Sequence, residues 1–404
     1  MTINFGDKFY SFYCMMIIIE DNESALEQLR SLCTTPGYIY VFAYLVYHHE
    51  YAHSANTNGE IKTEDLQIHK QPHIALNESE LLLLQHMMCE QKIETSCIPS
   101  HADMENKACR TCELLSYLHA SFIPPMLSSA INQIQRALTH SEEKSEIMKK
   151  MLNPAMIREM SQYDEDSGYV FQYLPMSAER YGEDSDWMLE HLGFSSMQMQ
   201  QTVDAAVEDV KSNFQDLDGS VQTLLESFSI SEEQISDRLA GKVNIKQVNS
   251  VLDFFSMQEG PLARFEDFGD YNPCVAKPIV VVDDKRYLFL ASSLCKATYE
   301  SPFYPMIGDS EYKNTHSEHR GRFTEKFVYD RLCTVFGPDY VYKNIKLYHG
   351  NDVSDEIDVM AVVADRAILV QCKSKLMTQQ AQQGDLIKAK KILMRMQVKP
   401  IGKM

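Results

Sequence analysis

Glu356-Ile357-Asp358-Val359 opens the stretch that decides the fold of the C-terminal part of this chain. Ile357 to Ala364 is apolar apart from Asp358, Asp365-Arg366 is a turn signal, and Ala367 to Val370 is apolar again before Gln371-Cys372-Lys373. Both arms are short, rich in β-branched residues and bounded by polar ones, which predicts a buried β-hairpin. Side chains alternate along a strand, so Glu356 and Asp358 share a face, and Gln371, Lys373 and Lys375 share a face. The hairpin thereby sets a carboxylate and an ammonium on adjacent strands at one sheet edge. Unpaired burial of either charge is costly, so the pair needs a reason.

Two readings meet here. One is a strand-end ion pair between Asp358 and Lys373, common in α/β proteins. The other is a metal site. Asp358 would bind a divalent cation, the Gln371 amide oxygen and the Cys372 backbone carbonyl would add hard oxygen ligands, and that set suits magnesium. Lys373 would orient and help deprotonate a water that attacks a phosphodiester.

Gly321 to Phe336 has helical apolar periodicity and stops at Gly337-Pro338. Glu325 falls on its apolar face, either as a snorkelling or N-terminal-turn acid favoured by the helix dipole or as a second carboxylate turned into the site. Val341 to Tyr348 alternates and reads as the first strand. The order is helix with Glu, strand, strand with Asp, strand with Gln-x-Lys, helix.

That order resembles the PD-(D/E)xK, restriction-endonuclease-like nuclease superfamily, and the Gln is similar to the Mrr-type and NERD-type branches. The resemblance covers residues 315 to 390. It implies a small α/β domain that hydrolyses DNA with magnesium or manganese. Asp358 matches the metal-binding Asp, Gln371 the substituted acid, Lys373 the catalytic Lys and Glu325 the helix carboxylate. Thirty-one residues follow Lys373, and the tail from Lys391 reads as a short last strand or a truncated end.

The chain has 404 residues and a formal net charge of −19, which argues against a generic nucleic-acid binder. The charge is unevenly spread. Thr315 to Met404 holds 15 Lys and Arg against 10 Asp and Glu, a net of +5, and the remainder carries −24. Arg320, Arg322, Lys343, Lys346, Lys375 and Lys388 are candidate phosphate contacts, and any one of them is equally read as solvated surface. The 10 Cys have no regular spacing, which suits a reducing cytoplasm. The apolar runs Phe9 to Ile19 and Tyr38 to Tyr47 are too short to span a bilayer, and no signal peptide is read in the first.

The expected class is a multidomain α+β protein: a mainly helical N-terminal region followed by the small restriction-endonuclease-like domain. Residues 1–140 read as a helical domain, with helices at Ser24–Cys33, Tyr38–His53, Glu78–Lys92 and Cys112–His140. Residues 141–314 read as an acidic helical region with a hairpin near 278–291, and residues 315–404 as the nuclease-like domain. Ser231 to Gln234 reads as a capping box. The helical region would serve as a sensor, a scaffold or a site for a protein partner. One competing constellation is His49-Glu50-Tyr51-Ala52-His53, a literal H-E-x-x-H. On a helix it would bind zinc as a peptidase does, with Glu78 or Glu80 as third ligand; the alternative is the polar end of an amphipathic helix. Cys89, Cys97, Cys109 and Cys112 form a second candidate zinc cluster, with Cys109 and Cys112 read alternatively as half-buried helix residues. Trp187, the only Trp, is expected to anchor a helix.

Overall fold

A computed structural model of the protein describes residues 22–51, 76–118, 170–217, 220–257, 261–265 and 270–374. Its helical body contains α1 (Asn22–Cys33), α2 (Tyr38–Val46) with a π-helical turn at Tyr47–Tyr51, α3 (Glu78–Met88) and α4 (residues 101–118). It continues with α5 (Val170–Arg180), α6 (Ser185–His191), α7 (Ser196–Asn213) and α8 (Val221–Glu226). Strand β1 (Ser229–Ile230), α9 (Glu232–Arg238), α10 (Ile245–Phe255), β2 (Val280–Val282), β3 (Lys285–Tyr287), α11 (Ala291–Glu300) and α12 (Phe303–Gly308) complete it. Then come α13 (Lys313–Phe336), β4 (Val341–His349), β5 (Asp352–Val363) and β6 (Arg366–Val370). Two antiparallel sheets result, ordered β1-β3-β2 and β4-β5-β6. The architecture is mixed α+β and rich in helix, as expected at that level.

Short polar signals start the helices. At α3 the Asn77 side chain accepts the Glu80 N–H at 2.8 Å and the Glu80 carboxylate accepts the Asn77 N–H at 2.9 Å. The same reciprocal pairing joins Ser195 to Gln198 at α7 and Asn244 to Gln247 at α10. Each satisfies two backbone donors that a helix start leaves open. Ser231 caps α9 by accepting the Gln234 N–H. Gly37 enters α2 at φ 77°, and a Cβ there would collide with the Cys97 carbonyl oxygen; both reasons require glycine.

The large hydrophobic core draws on residues from Leu26 to Met306. Its aromatic spine runs from Phe214 to Phe228 at 5.0 Å, on to Phe289 at 5.1 Å, and from there to Phe42 of α2 at 5.0 Å. The hairpin β2–β3 is the one expected near 278–291. Strand β1 pairs with β3 through only two residues, Ser229 with Tyr287 and Ile230 with Arg286, too short to announce itself by alternation.

Helix α13 joins this body to the second sheet. It begins eight residues earlier than its apolar pattern, because its N-terminal half docks through polar groups. Asp184 in the turn between α5 and α6 is fully buried. It accepts hydrogen bonds from His316 Nδ1 at 3.0 Å, His319 Nδ1 at 2.6 Å and the Tyr312 hydroxyl at 2.7 Å. Trp187 stacks on Tyr312 with centroids 5.2 Å apart and donates to Asp309 at 3.0 Å, so it anchors the entry to α13. The C-terminal half packs Val328, Tyr329, Leu332, Cys333 and Phe336 against Val341, Val359 and Ala361. Gly337, at φ 90°, ends the helix.

The hairpin β5–β6 departs from the expectation of full burial. Ile357, Val359 and Ala361 are buried, but Val363, Ile368 and Leu369 are 41, 45 and 40% exposed. An apolar run that reads as two-sided burial is, among the described residues, covered by α13 on one face. The predicted segments at 9–19, 52–75 and 119–169 lie outside the described residues, as do those from 375 onward.

Candidate active site

Asp358 stands on β5 between Ile357 and Val359, which are both buried towards α13. Asp358 itself is half-buried, set off from that buried pair. The register pairs Val359 with Val370, so Asp358 and Gln371 are the next pair along, at the point where β6 ends. There the Cys372 N–H leaves the ladder and donates to Asp358 Oδ2 at 2.5 Å. A backbone donor on one carboxylate oxygen fixes the side chain and leaves the second oxygen for another partner.

Glu325, near the middle of α13, belongs to the same electrostatic field. Burial raises its carboxyl above the usual range, the charges of Asp358 and Glu356 raise it further, and the Lys373 ammonium opposes them. The Cys372 thiol is raised by burial, then by Asp358 and Glu325, and lowered by Lys373. A thiol held protonated is a poor metal ligand, so the backbone carbonyl is what Cys372 has to offer. The structure thus brings Glu325, Glu356, Asp358, Cys372 and Lys373 into one neighbourhood. Among the described residues no three His, Cys, Asp or Glu side chains converge as a metal-binding group. A hard cation here would take two carboxylates, Asp358 and Glu325, plus the neutral oxygens of Gln371 and Cys372, a donor set that fits magnesium or manganese.

The candidate phosphate contacts separate. Arg322 is held by Glu183, with Nε 3.1 Å from the carboxylate. Lys343 lies 5.1 Å from the centroid of the Tyr329 ring. Arg320 turns towards the helical body, 4.5 Å from the Phe303 centroid. Lys346 is directly across the ladder from Glu356. Lys375 and Lys388 lie outside the described residues. A cleft of about 490 Å³ between α5, α13 and β4 is lined by Arg180, Arg322, Glu325, Lys326, Tyr329 and Lys343, among others.

Two residues of this region escaped the sequence reading. Asn344 adopts φ 55° in the middle of β4; a polar residue with low strand propensity inside an alternating run is the one available signal. Arg180 comes from a helix far away in sequence, and nothing local connects it to the site.

The competing constellations fare differently. His49 and Glu50 sit in the π-helical turn, where Glu50 accepts the Ser292 hydroxyl at 2.9 Å. Glu78 accepts the Ser293 hydroxyl, and Glu80 is engaged in the α3 capping box. Both carboxylates considered as third zinc ligands are thus tied to helix starts, and His53 lies outside the described residues. Cys89 and Cys112 are buried, which pushes both thiols up to about 12, whereas Cys97 and Cys109 are exposed. The four cysteines form no metal-binding group.

No protein-family model, curated protein or solved structure matches the chain.

Proposed function

We propose that the chain is a metal-dependent nuclease that hydrolyses DNA phosphodiester bonds. The observation that supports this reading is the placement of Asp358 across from Gln371 at the end of β6, with its Oδ2 held by the Cys372 N–H at 2.5 Å. Glu325, Glu356 and Lys373 act in the same field; carboxylates that share a field repel one another unless a cation joins them, and an ammonium there suits water activation. Asp358 and Glu325 would hold magnesium or manganese, with Gln371 and the Cys372 carbonyl completing the set. Bound there, such a cation supplies charge neutralisation on the phosphate and acidifies water. Asp358 keeps its orientation through the Cys372 N–H. Lys373, exposed at the end of the hairpin, orients the attacking water towards phosphorus.

The test is magnesium-dependent cleavage of DNA by the full chain. Cleavage should vanish in Asp358→Ala and Lys373→Ala while the circular dichroism of each variant matches the parent. Parental rates in both variants would sink the assignment.

A second reading has one observation in its favour: Gln371 supplies no charge where an acid would strengthen the metal site. In that reading the same fold binds nucleic acid or a protein partner without cutting. Binding that persists through magnesium and manganese titrations with no product would favour it.

A further inference from the structure

Arg180 ends α5 and is 5% exposed. Its Nε and Nη2 are buried without a hydrogen-bond partner. The guanidinium lies 4.0 Å from the Tyr299 ring centroid and 5.4 Å from that of Tyr181. Behind it stands Arg320 of α13, stacked on Phe303. Burial lowers the Arg320 guanidinium from its ordinary value, and the Arg180 charge beside it lowers it further. Tyr181, Tyr299 and the Glu300 carboxylate act favourably on both guanidiniums and hold Arg180 above its ordinary value against burial, but neither arginine makes an ion pair with a described carboxylate. The two orphaned donors of Arg180 are a cost that an anion would relieve.

The position of Arg180 says which anion. It lines the cleft that Glu325 also lines. Within that cleft Arg322 is neutralised by Glu183, and Lys326 by Asp330 at 2.7 Å. Lys343 makes no ion pair with a described residue. Glu179 also lines the cleft and acts on Lys326; beyond these pairings the cleft has a carboxylate at Glu325, suited to a cation, and a guanidinium at Arg180, suited to an anion. A phosphodiester chain passing a metal site presents that sequence of charges, with one phosphate at the cation and a neighbour a nucleotide away.

We propose that Arg180, backed by Arg320, holds a phosphate of the DNA strand adjacent to the one that is cut. This rests on the nuclease reading for the identity of the ligand. It makes the helical body, and not only the C-terminal sheet, part of the substrate surface. Arginine suits the role because its planar fork meets phosphate oxygens in pairs.

The experiment is binding of a fluorescent DNA oligonucleotide to the full chain without divalent metal, read by anisotropy across a salt series. Arg180→Gln should weaken binding about tenfold and reduce the log–log salt slope by about one. Arg320→Gln should weaken it in the same direction. Arg180→Lys keeps the charge and guards against a folding defect: it should retain the salt slope while losing part of the affinity. Parental affinity and slope in both Arg180 variants would overturn the proposal, as would a parent protein that does not bind DNA. A parent that binds through Arg180 but never cuts would instead overturn the nuclease reading and leave the phosphate site standing.

Discussion

Asn344 lies directly across the sheet from Asp358, and the ladder is broken at that pair. Lys343 pairs with Val359 and Ile345 with Ile357, but Asn344 takes φ 55° between them. The left-handed conformation removes the regular strand geometry opposite the residue that the proposed chemistry depends on most. Asparagine tolerates that conformation and β-branched residues do not. Asn344→Gly should therefore keep the parental urea midpoint, whereas Asn344→Val should cost about 1–3 kcal/mol. Equal midpoints in the two variants would show that the conformation imposes no constraint.

Asp184 gives a pH prediction with a definite sign. Burial alone would raise its carboxyl, but hydrogen bonds from His316 and Tyr312 and the His316 charge outweigh that and hold it low. A carboxyl depressed in the fold stabilises it fully above the ordinary value of 3.8 and loses that contribution as pH falls through the folded value. Asp184→Asn should cost on the order of 3 kcal/mol at neutral pH, as expected for removing one partner of a buried set. In urea unfolding the gap between parent and variant should shrink as the pH drops below about 4. A gap that stays constant with pH would contradict the assignment.

Glu325 has the opposite sign. Its carboxyl is raised by burial first and by Asp358 and Glu356 next. Its contribution is favourable below the ordinary value of 4.5 and is lost as pH rises through the folded value. Asp358→Asn removes one repelling charge, so Glu325 should titrate at lower pH, and saturating magnesium should act in the same direction on the parent. Carboxyl carbon NMR reads both. A Glu325 titration indifferent to magnesium would place the cation elsewhere.

Zinc content separates the peptidase constellation from the rest. With Glu50 bound by Ser292, the expected result is a purified protein with zinc well below one per chain, by elemental analysis. One zinc per chain that disappears in His53→Ala would restore the peptidase reading.

What the sequence made legible follows from where chemistry repeats locally. The two arms of the β5–β6 hairpin and the spacing of Asp358 from Lys373 come from alternation within a few residues, whereas the turn falls one residue earlier than Asp365-Arg366, at Ala364-Asp365, with Arg366 already paired to Val363. The apolar half of α13 was readable for the same reason. Its first turns were not, because His316 and His319 dock on Asp184 through hydrogen bonds that leave no apolar period. The second face of the hairpin, exposed at Val363, Ile368 and Leu369 among the described residues, reads as buried in the sequence because β-branched residues favour strands whether or not anything covers them. Arg180 was beyond reach, since its relation to Glu325 exists only once α5 and α13 are side by side.

Helix α13 has 24 residues, and Glu325 is the thirteenth of them. One side of that midpoint is fastened to the body through Asp184, the other to a sheet whose buried apolar residues, among the described ones, are Val341, Ile357, Val359 and Ala361. A sheet with so few described core residues is the natural candidate for opening first. When the sheet lets go, Asp358 and Lys373 leave together while Glu325 stays with the body. Any function built on all three would then switch off by separation at conditions far milder than those that melt the molecule.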